Sequence, residues 1–358
     1  RRLKAAVIGC GRMGAFTSAL MRAHAPACWF PLSHADAITE HPALQLAGFA
    51  DHDLAAARRA AQAFGVEAAY DDPDRLLAEL RPELVTVATR TVGRADLIAR
   101  CLEAGVRALH VEKPLCNSMV EWHGLRERFA DDSVFVTYGA LRRHLPIYRA
   151  ALALATSGEF GALREVRVQF GAGALFWTQT HAIDLLLFAA GQRRVTGVQA
   201  LLRGVEIGAH AHELLTDPVV VSSTLTFDDG LTGVVSQAHG SDFVLSCEHA
   251  EIAVRADGAS ADLYRCAEGA IYPAFSPLAP TLQDTPGGTL APLSNLVDCL
   301  AGQPGAVAAN RVLRHDMLEG QRIAFAMFQS HLEQSRLVDP HTTADDIVIQ
   351  ARTGQRHA

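Results

Sequence analysis

Gly9-Cys10-Gly11-Arg12-Met13-Gly14 is a G-x-G-x-x-G run placed directly after a short apolar segment, Ala5 to Ile8. Each glycine has its own reason: the first permits a tight turn, the second lets backbone approach a pyrophosphate, and the third lets a helix pack on a strand. A helix starting there would face the phosphates with its unpaired N–H groups. The strand–turn–helix context separates the run from an ordinary glycine turn and predicts dinucleotide binding by Gly9, Gly11, Arg12, Met13 and Gly14. The acidic residue that binds the adenosine ribose is expected ~20 residues further on, at the end of the second strand. Asp51 has that local setting but stands 37 residues after Gly14. Assigning it the role requires about eighteen inserted residues against the ~20-residue rule. Its carboxylate would then accept both ribose hydroxyls and repel a 2′-phosphate, favouring NAD, with NADP possible. The other role open to Asp51 is a cap on the next helix.

Other chemistry-bearing residues are dispersed. Among sixteen histidines the densest cluster is His210-Ala211-His212-Glu213, which is neither an H-E-x-x-H helix nor a finger. It reads as a solvated loop, and no metal is expected. Seven cysteines (10, 28, 101, 116, 247, 266 and 299) stand singly with no C-x-x-C pair. An odd, irregular set argues against a disulfide framework and for a reducing compartment.

Two textures of chain must position these residues. Up to about Cys116, the apolar runs Ala5–Ile8, Leu44–Ala50, Leu84–Ala88 and Ala108–Val111 alternate with helical stretches such as Leu54–Phe64 and Ala95–Ala104. Gly65 and Gly105 punctuate the ends of those helices. Such alternation predicts a parallel sheet covered on both faces. Beyond about residue 158, Arg164–Phe170, Val219–Phe227, Leu231–Ala238, Phe243–Cys247 and Ile252–Arg255 read as strands, with Asp228-Asp229-Gly230 a tight connection. These predict a largely antiparallel sheet. Ala267 to Ala291, rich in Pro and Gly, reads as a long surface loop, and helices return at Leu293–Leu300 and from Asn310 to about Gln334.

Glu112-Lys113-Pro114, at the end of the Ala108–Val111 strand, resembles the E-K-P signature of the Gfo/Idh/MocA oxidoreductases. That family includes glucose–fructose oxidoreductase, inositol dehydrogenase and many sugar dehydrogenases. The glycine loop, the strand Val85 to Thr89, Glu112 to Pro114 and the helix Thr180-His181-Ala182-Ile183-Asp184 occur in family order, the last being similar to a G-x-H-x-x-D element. His34 to Pro42 matches a run carried by the family's first helix, so the extra residues fall at about 15–33. Trp29-Phe30-Pro31 within them is assigned either to the substrate pocket or to a subunit contact or self-packed flap.

The resemblance implies an α/β chain with a Rossmann domain over 1–118 and, over 119–358, an α+β domain with a large, mainly antiparallel open-faced sheet. It implies an NAD(P)-dependent dehydrogenase or reductase acting on a CH–OH group of a sugar, sugar derivative or cyclitol. Lys113 would sit near the substrate oxygen and handle its proton, with Glu112 orienting the loop. His181 is the second proton-transfer candidate, because imidazole titrates near working pH. Asp184, on the same helical face, would hold that imidazole, contact substrate or make a buried structural bond. Thr89, Arg90, Glu112 and Lys113 join the expected cofactor contacts, and Arg143, Trp177, Asp184 and Trp29 the substrate contacts. A homodimer or homotetramer is implied as well.

Departures from the pattern leave other readings open. Trp177 stands where the family commonly has an Asp, four residues before the histidine, and is a candidate stacking face for a sugar ring. Thr89-Arg90-Thr91 replaces the usual Thr-Pro-Asn, and Arg94 replaces a common His, which suggests an anion site or a solvated arginine. Arg142-Arg143-His144-Leu145-Pro146 resembles the family's N-x-R-[FY]-x-P run. The missing carboxylate motivates a rival reading as a catalytically silent, cofactor-binding regulator; an NAD-dependent glycosidase is the other.

Composition sets the outer bounds. With 39 acidic against 32 basic residues, a net charge of −7 and no basic block, nucleic acid is not an expected partner. No apolar run is long enough to predict a membrane span. The short apolar stretch after Arg1-Arg2-Leu3-Lys4 does not read as a signal core, which makes the cytoplasm the default expectation.

Overall fold

The computed structural model describes residues 1–266, 269–278 and 287–351. By contact the chain forms two compact units. The first joins Arg1–Cys116 to Glu121–Leu141 and Pro286–Leu318; the second contains Asn117–Val120, Arg142–Thr285 and Glu319–Ala358. The boundary expected near residue 118 therefore ends only the first segment of the first unit, to which two later segments return.

The first unit is a six-stranded sheet of β1 (Leu3–Ile8), β2 (Leu44–Ala50), β3 (Ala69–Tyr70), β4 (Leu84–Val87), β5 (Ala108–Val111) and β6 (Phe135–Tyr138). All neighbours are parallel, in the order β3-β2-β1-β4-β5-β6. Every residue of β4 and β5 is buried. Burial on both faces is why these strands read as continuous apolar runs rather than alternations. Strand order reverses between β1 and β4, and ligands of such sheets bind beyond the carboxyl ends at that point. Gly9, Asp51, Thr89, Glu112 and Gly139 all follow strand ends at that edge.

The helix expected after Gly14 is not continuous. The turn Gly11–Ala15 closes with Ala15 N–H on the Gly11 carbonyl at 2.9 Å. The next acceptors, Met13 O and Gly14 O, receive the N–H groups of His34 and Ala35, at 2.7 and 2.9 Å. An unbroken α-helix would fill those places with residues 17 and 18. Seventeen residues, 17–33, are thus looped out while the hydrogen-bond ladder resumes in register. Without them Asp51 lies 20 residues beyond Gly14, which resolves its spacing.

The looped-out segment carries α1 (Ala19–His24) and a 3-10 turn (Ala27–Trp29), and it leads into α2 (His34–Glu40). Its neck is closed by Ser33 N–H on Thr17 Oγ1, at 3.2 Å. Its far side is pinned by Gly288 N–H on Cys28 O, Thr289 N–H on Pro31 O and Thr289 Oγ1–H on Leu32 O at 2.6 Å. Trp29 and Leu32 are buried. The remaining helices between strands are α3 (Leu54–Ala63), α4 (Pro73–Leu80), α5 (Arg94–Glu103) and α6 (Met119–Arg128). Gly65 and Gly105 adopt the left-handed conformation just beyond α3 and α5, as predicted.

The second unit contains α7 (Pro146–Ala155), β7 (Leu163–Gln169), α8 (Gln179–Ala190), β8 (Val195–Arg203), β9 (Glu213–Leu214), β10 (Val219–Phe227), β11 (Thr232–Ser236), β12 (Asp242–Cys247), β13 (Ala250–Arg255), β14 (Ser260–Arg265) and β15 (Ala274–Leu278). Eight of these strands form one sheet in the order β15-β14-β13-β12-β7-β11-β10-β8, antiparallel except between β7 and β11. α7 packs on β12 and β13, and α8 on β7 and β11. Part of the loop expected over Ala267–Ala291 is edge strand β15, and α9 (Leu290–Leu300) already begins at its end; residues 267–268 and 279–286 lie outside the described set. The last elements are α10 (Pro304–Leu332), whose two halves belong to different units, and β16 (Val348–Ile349) beside β9. Among the described residues no helix is long and apolar enough to cross a membrane.

Excising residues 17–33 to join Phe16 to His34 should leave a protein that still melts cooperatively in calorimetry. Loss of the buried Trp29 and Leu32 should cost about 2–4 kcal/mol. A variant without a cooperative transition would contradict the spliced-helix account.

Candidate functional site

The glycine loop shows which of its glycines serve packing and which serves a ligand. A Cβ on Gly9, whose φ is +99°, would lie 2.6 Å from the Ala88 carbonyl carbon, and one on Gly14 would lie 1.8 Å from the Gly9 oxygen. A Cβ on Gly11 would meet nothing within 4 Å. Gly11 is therefore not required by the protein's own packing. It leaves open the place where a pyrophosphate would approach backbone, so the residues present fit NAD. Arg12 is exposed and Met13 partly so.

Asp51 crosses from the end of β2 to this loop. Its Oδ2 accepts the Cys10 N–H at 2.8 Å, and Oδ1 accepts the Asp53 N–H at 3.0 Å and lies 2.9 Å from His52 Nδ1. The cap of α3 is Asp53, whose Oδ1 accepts the Ala55 N–H, so the capping role belongs to that residue. Burial, with the Asp51 charge beside it, pushes the Cys10 thiol up to about 12 and keeps it protonated.

The segment after β5 is held from several directions. Glu112 is buried; its Oε1 lies 3.2 Å from His34 Nε2, and its Oε2 accepts the Lys113 N–H at 3.3 Å. A Cβ on Gly139 would fall within 2.7 Å of both carboxylate oxygens, so a side chain there would displace Glu112. Burial alone would raise the Glu112 pKa; the His34 hydrogen bond and the charges of His34, Lys113 and Arg94 outweigh it and hold the group below its ordinary value. Arg94 is neither an anion site nor solvated. Its buried guanidinium donates to the carbonyls of Thr89, Glu112 and Pro114, clamping the segment to the end of β4, and burial brings its pKa down to about 10. Lys113 is half-buried, Thr89 is partly buried and Arg90 is exposed.

No spacing pattern brings His34, His110 and Glu112 together, yet their ligand atoms lie within 4.8 Å of one another. His110 meets the His34 ring edge-on at 4.8 Å, and its Nδ1 lies 3.0 Å from Thr137 Oγ1. The charges of Arg94 and Lys113 stand beside the anion of this cluster.

In the second unit His181 lies in the first turn of α8, half-buried. Asp184, one turn on, is committed to Arg143: Oδ2 accepts from Nε at 2.9 Å and the Asp184 carbonyl from Nη2 at 3.0 Å. Both are buried, and the guanidinium also lies 5.6 Å from the Phe188 ring centre. Two expected substrate contacts are thus joined to each other. Trp177 is half-buried, and a carboxylate does reach its backbone. Asp217 accepts the Phe176 and Trp177 N–H groups at 2.9 and 3.0 Å. Forty residues separate the pair, and no motif links them. Burial and the adjacent Arg143 and Arg149 push the His144 imidazole down to about 3, so it is neutral. Trp29 is buried, with 6% of its surface exposed.

Gly11→Ala should leave stability within about 0.5 kcal/mol while raising the NAD Kd at least ~10-fold in a fluorescence titration. Gly14→Ala should instead destabilise by more than about 3 kcal/mol. Equal effects of the two substitutions on stability and binding would contradict the division of roles.

Residues 3–140 match the family described as "Oxidoreductase family, NAD-binding Rossmann fold", GFO_IDH_MocA. The scyllo-inositol 2-dehydrogenase (NAD(+)) of Bacillus subtilis (strain 168) is 28% identical over 160 residues, 45% of this chain and 42% of that protein. The trans-1,2-dihydrobenzene-1,2-diol dehydrogenase of Mus musculus is 28% identical over 127 residues, 36% of this chain and 38% of its own. The similarity thus spans about four-tenths of the length of these relatives. An inositol dehydrogenase homologue from Azotobacter vinelandii, solved with NADH and myo-inositol, shares the fold with a TM-score of 0.72 at 18% identity, over 95% of this chain and 98% of that one. Residues 3–140, with their open glycine cradle, are thus similar to the NAD-binding Rossmann fold of the Gfo/Idh/MocA oxidoreductase family.

Proposed function

We propose that the protein is an NAD-dependent dehydrogenase acting on a secondary hydroxyl of a sugar, sugar derivative or cyclitol, with Lys113 and His181 in proton transfer. The observation that carries this reading is the identity of residue 113. Of 32 basic residues only Lys4 and Lys113 are lysine; the other thirty are arginine. A guanidinium stays protonated at any working pH, whereas a lysine amine can release and recover a proton. The chain therefore departs from arginine at the place where a carbinol proton would have to be exchanged. Relatives named as inositol and diol dehydrogenases support the substrate class.

NAD, when bound, supplies the hydride acceptor. Gly9, Gly11, Arg12, Met13 and Gly14 would hold its pyrophosphate, with Thr89, Arg90 and Glu112 at the neighbouring strand ends. The Asp51 carboxylate, oriented by the Cys10 and Asp53 N–H groups, would accept the ribose hydroxyls and repel a 2′-phosphate. Lys113 Nζ would take the hydroxyl proton and oppose the negative charge developing on the oxygen. The His181 imidazole is the second group assigned to proton transfer. Trp177 is assigned a stacking contact to the substrate ring. Arg143 and Asp184, paired with each other, would act by fixing α8.

Lys113→Met and Lys113→Arg should each lower kcat by about 10²–10⁴-fold on the best inositol or sugar, with NAD affinity kept within about threefold. Normal turnover in Lys113→Arg would sink the proton-transfer role. Asp51→Ala should weaken NAD by about 10-fold, equivalent to ~1.4 kcal/mol, with little loss for NADP. An unchanged preference between the two cofactors would remove Asp51 from the ribose site.

A further inference from the structure

We infer that His34 is a positioning residue for Lys113, linking the cofactor loop to the lysine-bearing segment. This rests on the reading of Lys113 as the proton-transfer group. His34 is the first residue after the looped-out segment, and it is fully buried. Its backbone N–H binds Met13 O in the glycine loop at 2.7 Å. Its imidazole Nε2 reaches Glu112 Oε1 at 3.2 Å, and the other oxygen of that carboxylate holds the Lys113 N–H. A single residue, through its backbone and its imidazole, thus connects the cofactor cradle to the carboxylate that holds the Lys113 peptide.

Other contacts remove the freedom that would make this bridge unnecessary. Arg94 fixes the carbonyls of Glu112 and Pro114, on either side of Lys113, which leaves the Glu112 carboxylate to fix the N–H between them. That carboxylate lies in the slot left by Gly139, and His34 is bonded to its Oε1. His34 Nδ1 has no hydrogen-bond partner among the described residues, so one directed bond is the whole polar contribution of the ring. A Gln side chain can place an amide donor near the Nε2 position; Asn and Ala cannot reach Glu112.

The experiment uses the scarcity of lysine. Competitive acetylation by acetic anhydride across a range of pH, read by mass spectrometry, gives Lys113 reactivity with Lys4 as internal reference in the same chain. His34→Ala should change the Lys113-to-Lys4 ratio by more than ~3-fold and lower kcat about 10-fold or more. NAD affinity should stay within ~2-fold, because the backbone bond to Met13 survives. His34→Gln should restore both the ratio and kcat. Should His34→Ala fail to fold, His34→Asn against His34→Gln gives the same contrast. An unchanged ratio and kcat in a folded His34→Ala or His34→Asn variant would overturn the inference. So would a loss of NAD binding that accounts for the whole fall in kcat. A wild-type protein with no turnover on any polyol would defeat the proposed function, while the acetylation ratio would still decide the role of His34.

Discussion

A buried carboxylate organises the first unit. Glu112 lies out of water, where an unpaired charge is costly enough that its surroundings must be built to hold it. The surroundings come from four parts of the chain: His34 at the start of α2, the Lys113 N–H, the space left by Gly139, and the charge of Arg94 at the start of α5. Arg94 also satisfies three backbone carbonyls at strand ends. The carboxyl edge of the sheet, where a dinucleotide fold binds its ligand, is thereby tied around one anion.

The looped-out segment shows how a fold can gain chain beside its ligand edge without losing its cradle. The helix that follows the glycine loop is interrupted after one turn, yet the Met13 and Gly14 carbonyls still find donors, in His34 and Ala35. Buried carbonyls without partners would destabilise the junction, so the splice in register is what makes the detour tolerable. The detour closes at its neck through Thr17 and Ser33 and is pinned at its far side by Gly288 and Thr289. It is a packed element of the first unit, in which Trp29 and Leu32 are buried.

Much of this was readable from sequence because it rests on local chemistry. Four-residue apolar runs locate β4 and β5 since both faces are covered, and the distance from Gly14 to Asp51 forecasts an insertion because helix and strand lengths are fixed by geometry. What escaped depends on convergence across the fold. Arg94 looks solvated or anion-binding until Thr89, Glu112 and Pro114 are seen to present their carbonyls to it. Arg143 and Asp184, 41 residues apart, look like separate substrate contacts until they pair. Strand β14 was missed because Ser, Asp and Arg dilute its apolar alternation, and β8 because Gly197 interrupts it. Asp217 carries no motif and gains its place beside Trp177 only through folding.

The proposed reaction moves a hydride from a secondary carbinol carbon to nicotinamide. Incubation with NAD and a panel of inositols and sugars deuterated at their carbinol carbons, followed by mass spectrometry of the recovered cofactor, tests it most directly. The recovered cofactor should carry one deuterium with at least one member of the panel, at an initial rate about 10²–10⁴-fold lower when Lys113 is replaced by Met. Tight NAD binding with no deuterium transferred from any member of the panel would contradict it.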